Sequence, residues 1–163
     1  MSRCPARLMV VACIALLGPA AGALETHLVA MSDGTRLVTD VYFPAFGGPT
    51  WPVILERTPY PRTNGSTWTS EGYAYVCQSV RGRYGSEGSF APFADDGWGE
   101  HRDGVDTLTW IRQQPWCNGK VGTYGGSATA CTGNLLGAAA PDIAEPLPAA
   151  MLPKTAEALA GWD

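Results

Sequence analysis

Two apolar runs of strand length place the strongest limit on how this chain can fold. Pro52 to Thr58 and Tyr73 to Val80 are dominated by apolar residues, and both are bounded by turn-forming or polar segments. Runs that are continuous rather than alternating are typical of strands covered on both faces, as in a parallel sheet. The chain is therefore predicted to form a sheet with helices packed against it.

Other segments extend this prediction on both sides of the two runs. Thr26 to Ala30 and Arg36 to Phe43 flank the turn signal Ser32-Asp33-Gly34 and predict a hairpin. Further along the chain, a helix is predicted between Asp95 and Gln114, because apolar residues recur there at helical spacing (Trp98, Val105, Leu108 and Ile111). A strand at Lys120 to Tyr124 and a helix at Ala128 to Ala140 are predicted to follow. This order predicts an α/β fold that starts with antiparallel strands and continues with parallel βαβ units.

Composition excludes several classes of protein. Glycine (20) and proline (13) are too frequent for a helical bundle, and 45% hydrophobic residues with 16% charged residues indicate a globular core. The net charge is −4 with no basic block, which argues against nucleic-acid binding. No metal-ligand cluster or carboxylate dyad is visible in the sequence, so no cofactor and no metal are predicted.

The first 23 residues have the features of a secretory signal peptide. Arg3 and Arg7 precede the apolar run Leu8 to Leu17, and Ala21-Gly22-Ala23 is a small-x-small cleavage pattern. The run is about half the length of a membrane-spanning helix, so a secreted or periplasmic protein without a membrane anchor is expected. A buried N-terminal helix is the alternative. The predicted organisation is residues 1–23 as signal peptide, 24–141 as a partial α/β domain and 142–163 as a proline-rich tail.

Three cysteines remain after the predicted cleavage, at positions 77, 117 and 131. An odd number leaves at least one thiol unpaired in an exported protein. Cys77 lies in an apolar run and is expected to be buried. A bridge between Cys117 and Cys131 is compatible with the sequence, but their spacing does not decide it.

Ser127 is the strongest candidate for a catalytic side chain. It lies between a predicted strand and a predicted helix in Gly125-Gly126-Ser127-Ala128, where small neighbours permit the sharp turn of a nucleophile elbow. At a helix N-terminus, the amide of Ala128 can donate to a developing oxyanion. Thr129 occupies the place of the final glycine in the Gly-x-Ser-x-Gly pattern. Taken alone, this stretch also fits a serine that merely caps the helix.

A wider set of motifs resembles the Xaa-Pro dipeptidyl-peptidase and cocaine-esterase type of serine hydrolase. The motifs span roughly residues 31–140 in the order Arg57-Thr58-Pro59-Tyr60, Ser79 to Gly88, Asp95-Asp96-Gly97, Asp106-Thr107 with Trp110-Ile111, Gln114 to Gly122 and Gly125-Gly126-Ser127. The resemblance implies the N-terminal part of an α/β-hydrolase fold and acyl transfer through a serine. It also implies a small ester or amide, or a short peptide, as substrate.

The resemblance assigns roles to three residues. Ser127 corresponds to the nucleophile, Ala128 supplies the backbone oxyanion donor, and Tyr60 corresponds to the tyrosine whose hydroxyl is the second donor. The family usually has tyrosine directly after its serine, where this chain has Ala128. The backbone amide survives that change, whereas the side chain that helps to shape the acyl pocket is lost.

Two arginines and two aspartates in or near these motifs are expected to have no catalytic role. Arg81 and Arg83 follow a strand in a glycine-rich loop and are predicted to tie loops together through carboxylates such as those of Asp95 or Asp96. Asp103 and Asp106 are predicted to form a solvated helix face.

The base that the serine needs is not evident in the sequence. In α/β-hydrolases the chain order is serine, then an acid, then histidine, whereas the only histidines here, His27 and His101, both precede Ser127. We therefore expect the front portion of a serine hydrolase, inactive by itself because the acid and histidine of the triad are missing. The alternative is a non-catalytic exported binding or interaction domain derived from that fold.

Overall fold

The computed structural model describes residues 19–140, which form a five-stranded mixed sheet with three helices. The strands are β1 (Leu24–Ala30), β2 (Arg36–Tyr42), β3 (Trp51–Thr58), β4 (Ala74–Ser79) and β5 (Cys117–Thr123). Their order across the sheet is β1-β2-β4-β3-β5. β1 and β2 form the predicted hairpin, β2 is antiparallel to β4, and β3 is parallel to both β4 and β5. The predicted fold class is confirmed.

The helices cover the two faces of this sheet unequally. They are α1 (Ser66–Thr69), α2 (Asp103–Arg112) and α3 (Ala128–Ala139). Alternating β3 side chains point to opposite faces, so Leu55 packs with Ile111 of α2 and Leu136 of α3, while Ile54 packs on the other face with Trp68 of α1. The single turn of α1 was not predicted from the sequence.

The helix predicted between Asp95 and Gln114 begins later than expected. α2 starts at Asp103, because Gly99 has a φ of +100° and a Cβ on Gly97 would lie 2.3 Å from the carbonyl oxygen of Leu135 in α3. The stretch before α2 is a loop, and Trp98 is exposed rather than part of the core face. At the start of the helix, the backbone oxygen of Asp95 accepts from the N–H of Asp103 at 2.9 Å.

A buried network of charges fastens this loop and α2 to the sheet. The guanidinium of Arg81 donates to both carboxylate oxygens of Asp103, at 3.0 and 2.6 Å, and to Asp33 at 2.8 Å. Arg57 of β3 forms a buried ion pair with Asp96. The Arg81 guanidinium holds the pKa of Asp33 well below its usual range, whereas burial raises the pKa of Asp96.

These contacts correct two predictions about charged residues. Asp103 is fully buried rather than part of a solvated face, and the carboxylate of Asp106 accepts the backbone N–H of Ser32 at 2.8 Å. Arg81 is structural as predicted, but its partners are Asp103 and Asp33. Its neighbour Arg83 binds no carboxylate in the described residues, and donates instead to the backbone oxygen of Pro59 at 3.0 Å.

The remaining predictions fall partly outside residues 19–140. Most of the predicted signal peptide and all of the tail at 142–163 lie beyond the described residues. Within residues 19–140, no helix combines the length and apolar character needed to cross a bilayer. Cys77 is buried as expected, and Cys117 and Cys131 are not joined to each other.

Replacing Arg81 should destabilise the fold strongly. Arg81→Leu leaves the carboxylate of Asp103 buried without its main partner, and should lower the free energy of unfolding by about 3–5 kcal/mol in urea titrations followed by circular dichroism. Arg36→Leu is the control, because the ion pair of Arg36 with Glu87 is exposed and its loss should change stability far less. Equal losses in the two variants would contradict the structural role of the network.

Candidate active site

The turn between β5 and α3 holds Ser127 in a strained backbone conformation. Ser127 has φ 55° and ψ −124°, a region that a residue with a side chain rarely adopts. Such a conformation costs on the order of 1–3 kcal/mol and persists only where the surrounding structure enforces it. Ser127 is also exposed. The turn therefore presents the serine side chain at the surface, at the carboxyl end of a strand.

Helix capping does not explain this serine. The side chain of Ser127 makes no capping hydrogen bond to α3. Backbone groups close the turn instead: the N–H of Thr129 donates to the oxygen of Gly126 at 3.2 Å, and that of Ala130 donates to the oxygen of Ser127 at 3.1 Å. The N–H of Ala128, at the first helical position, has no partner within its helix. A donor and the positive end of the helix dipole thus lie directly beside Ser127.

Contacts between Gly125 and Thr129 explain the departure from the Gly-x-Ser-x-Gly pattern. A Cβ on Gly125 would lie 2.3 Å from Oγ1 and 2.6 Å from the backbone carbon of Thr129. The missing Cβ leaves room for the threonine, whose hydroxyl donates to the oxygen of Gly126 at 2.7 Å. The threonine thus adds a hydrogen bond inside the turn.

Two adjacent glycines therefore provide a matched pair of substitutions. Gly125→Ala should destabilise the chain by about 1–3 kcal/mol, because the new methyl group collides with the backbone of α3. Gly126→Ala should have little effect, because a Cβ there meets nothing within 4 Å and φ is not positive. Urea titrations of both variants provide the measurement, and a comparable loss at Gly126 would contradict this account of the turn.

Tyr60 follows the strand next to the one that leads to Ser127. β3 and β5 are parallel neighbours, so the segments after their carboxyl ends emerge at the same edge of the sheet. The backbone N–H of Tyr60 donates to Oγ1 of Thr58 at 3.0 Å, while the side chain is half exposed. Arg62 anchors the same loop by donating to Asp40 at 2.6 Å. This contact between Arg62 and Asp40 was not predicted from the sequence.

A cleft of about 380 Å³ with polar and aromatic walls lies beside the turn. Its wall includes Tyr124 and Gly125 from the turn, Trp68 from α1 and Tyr75 from β4. It also includes Glu56, a carboxylate inside the apolar run of β3 that is only 8% exposed. No role for Glu56 was predicted from the sequence, although a carboxylate within the apolar run of a buried strand is an unusual feature.

The two histidines lie on other parts of the structure. Nε2 of His27, on β1, is 3.1 Å from a carboxylate oxygen of Glu25. β1 and β5 are the opposite edges of the described sheet. Nδ1 of His101, in the loop before α2, is 3.3 Å from Oδ2 of Asp33. Each histidine therefore pairs with a carboxylate, and neither contacts Ser127 within residues 19–140.

Comparison with known families and curated proteins gives consistent matches. The family model described as X-Pro dipeptidyl-peptidase (S15 family) matches residues 33–156. Cocaine esterase from Rhodococcus sp. (strain MB1 Bresler) is 42% identical over 108 residues, which are 60% of this chain and 18% of that protein. The chain thus spans about a fifth of the length of the curated relatives that it matches.

Solved structures show the same arrangement. An aminopeptidase from a marine sediment archaeon (Thaumarchaeota archaeon) superposes with a TM-score of 0.59 at 30% identity, covering 69% of this chain and 22% of that one. A CocE/NonD family hydrolase from Staphylococcus aureus superposes with a TM-score of 0.65 at 23% identity, covering 74% of this chain and 26% of that one. At that identity the second likeness establishes the fold alone.

Proposed function

Because this chain belongs to the X-Pro dipeptidyl-peptidase (S15) family of serine hydrolases, we propose that it supplies the nucleophile and the oxyanion hole for hydrolysis of an ester or an Xaa-Pro peptide or amide. The observation that carries the proposal is the strained, exposed Ser127 at the N-terminus of α3. Esters and peptides are both kept as substrates, because one similar protein is named an esterase and another an aminopeptidase.

In the proposed reaction, Oγ of Ser127 attacks the carbonyl carbon of the substrate. A bond forms between Oγ and that carbon, the carbonyl π electrons move to oxygen, and the serine proton passes to a base. The N–H of Ala128 and the hydroxyl of Tyr60 donate to the resulting oxyanion. Collapse of this intermediate re-forms the carbonyl and breaks the bond to the alcohol or amine, which leaves with the proton that the base took from Ser127. The acyl group stays on Ser127 until a water molecule, giving up its proton to the same base, attacks the acyl carbon and releases the acid.

The base is the part of the reaction that this stretch of sequence does not supply. His27 lies on β1, at the opposite edge of the described sheet from β5, and His101 lies in the loop before α2. Neither contacts Ser127 within residues 19–140, so we propose that neither takes its proton. The 163-residue chain is then expected to hold a competent nucleophile site that turns over poorly by itself. Export is part of the same proposal, and it rests on residues 1–23.

Chemical rescue tests the assignment of Ser127. The 163-residue chain should react poorly with a fluorophosphonate probe in plain buffer, because no base takes the serine proton. Added imidazole should act as that base, and peptide mass spectrometry should then find the probe on Ser127. Ser127→Ala should remain unlabelled under both conditions.

Three results would contradict parts of this proposal. Labelling of Ser127 without imidazole would show that the chain already contains the base. Labelling that persists in Ser127→Ala would move the nucleophile elsewhere. A chain that unfolds cooperatively but is not labelled under either condition would favour the non-catalytic binding domain.

Tyr60→Phe tests the second oxyanion donor. Loss of one such donor typically costs about 10²–10³-fold in rate, so imidazole-dependent labelling of Ser127 should slow by about that factor. The phenol is half exposed, and its removal should leave the urea midpoint unchanged. Tyr84→Phe is the control, because Tyr84 is exposed to a similar extent and has no proposed role. Equal rates in wild type and Tyr60→Phe would remove Tyr60 from the oxyanion hole.

A further inference from the structure

The hydroxyl of Tyr60 has no support of its own in this structure. Its side chain is half exposed, and within residues 19–140 the hydroxyl makes no hydrogen bond that would fix the ring. A displacement of about 1 Å in a group that acts on the reacting atoms can cost about 10²-fold in rate. The position of this hydroxyl therefore depends on what holds the backbone around Tyr60.

The sequence around Tyr60 makes its loop stiff. Tyr60 lies between Pro59 and Pro61. A proline ring fixes its own φ, and a residue that precedes proline is restricted to extended conformations. The N–H of Tyr60 also donates to Oγ1 of Thr58 at 3.0 Å. These features reduce the freedom of the loop, but they do not fasten it to other parts of the fold.

Two arginines fasten this loop to the loop that follows β4, one from each loop. The Nε–H of Arg83 donates to the backbone oxygen of Pro59 at 3.0 Å, directly before Tyr60. In the opposite direction, Nη1 of Arg62 donates to the backbone oxygen of Tyr84 at 3.1 Å. We call Arg62 and Arg83, with these two hydrogen bonds, the arginine clasp. Tyr60 lies between the two points at which the clasp holds its loop.

The loop after β4 holds Arg83 in place for this contact. The N–H of Arg83 donates to the backbone oxygen of Val80 at 3.1 Å, which closes a tight turn. A Cβ on Gly82 would lie 2.4 Å from the backbone nitrogen of Phe90, so the glycine allows that segment to approach. The guanidinium carbon of Arg83 lies 5.1 Å from the ring centroid of Phe90 and 5.2 Å from that of Tyr84, within cation–π range. The hydroxyl of Tyr84 takes no part, so Tyr84→Phe keeps this contact.

The partners of Arg83 distinguish it from the structural arginines nearby. Arg57, Arg62 and Arg81 each pair with a carboxylate. Arg83 is half-buried and pairs with no carboxylate in the described part of the chain, so its removal leaves no buried charge without a partner. The main structural consequence of its hydrogen bond is the position of Pro59 and of the residue that follows.

We propose that Arg83 is a positioning residue for the oxyanion hole. By holding the backbone oxygen of Pro59, it fixes the hydroxyl of Tyr60 where that group donates to the oxyanion. The inference rests on the proposed hydrolase function and adds one residue to the machinery proposed there. The other arginine of the clasp also pairs with a buried aspartate, so Arg83 gives the cleaner test.

Labelling kinetics test whether Arg83 acts through Tyr60. Arg83→Met should slow the imidazole-dependent fluorophosphonate labelling of Ser127 by about 10–100-fold, and by no more than Tyr60→Phe does. In the Tyr60→Phe background the same substitution should add less than about twofold, because the hydroxyl that Arg83 positions is already absent. Arg102→Met is the control, because it removes an exposed arginine outside both loops, and it should be labelled at the wild-type rate.

Arg83→Lys tests whether the hydrogen bond is the cause. A lysine keeps a cation beside the rings and a donor for the backbone oxygen of Pro59, so it should recover most of the lost rate. A lysine variant as slow as Arg83→Met would contradict this role of the hydrogen bond. The urea midpoint of Arg83→Met should stay close to that of wild type, because no carboxylate loses its partner.

A spectroscopic measurement tests the clasp without any reaction. The 163-residue chain is produced with 3-fluorotyrosine, and the fluorine NMR line that is missing from Tyr60→Phe is assigned to Tyr60. In Arg83→Met this line should move toward that of the free amino acid, because the loop is released. Arg83→Lys and Arg102→Met should leave it close to its wild-type position.

The two proposals fail in different ways. If Ser127 is not labelled under either condition while the Tyr60 line moves in Arg83→Met, the hydrolase function is overturned and the clasp is supported. A wild-type labelling rate in Arg83→Met, additive losses in the double variant, or an unchanged Tyr60 line would each overturn the positioning role of Arg83.

Discussion

The parallel pairing of β3 with both of its neighbours is the constraint on which the rest of the structure depends. β3 pairs along its length with β4 on one side and with β5 on the other. Because all three strands run the same way, each loop that follows them emerges at one edge of the sheet. Tyr60, the charged loop after β4 and Ser127 owe their common location to this pairing. An antiparallel β5 would carry its following turn to the opposite edge.

The charged network gives this edge its rigidity. Three of its residues come from separate parts of the fold: Arg57 from β3, Arg81 from the loop after β4 and Asp103 from α2. Arg57 also receives a contact from α3, because Oγ1 of Thr132 donates to its backbone oxygen at 2.7 Å. The helix whose N-terminus adjoins Ser127 is thereby fixed to the sheet at a second point. A strained serine needs such support, since backbone strain relaxes when the elements around it can move.

Much of the fold could be predicted from the chain, because strands buried on both faces leave continuous apolar runs. The hairpin, β3, β4 and α3 were located within one or two residues. The start of α2 was missed because helical spacing extends back to Trp98. Gly97 packs closely against α3 in a loop, so the helix begins only at Asp103. Asp103 was placed in solvent because periodicity does not reveal a partner that is distant in sequence, such as Arg81.

For the candidate site, the sequence located the turn but not the backbone conformation of its serine. Small residues around Ser127 located the turn, but only the backbone angles distinguish a strained serine from a capping one. The position of Glu56 in the cleft wall was not predicted, because an apolar run indicates which segment is buried but not which of its side chains lines a cleft. The backbone angles of Ser127 and the position of Glu56 in the cleft wall both depend on tertiary contacts, which the order of residues in the sequence does not show directly.

The contacts of Gly125 bear on how such turns are recognised in other sequences. The two glycines of the Gly-x-Ser-x-Gly pattern are not equivalent in this chain: the backbone of α3 excludes a side chain at position 125, whereas position 129 holds a buried threonine. A search that demands glycine at both positions would discard this sequence despite its backbone geometry. A pattern that fixes the first glycine and allows a small hydroxyl residue at the second would retain it.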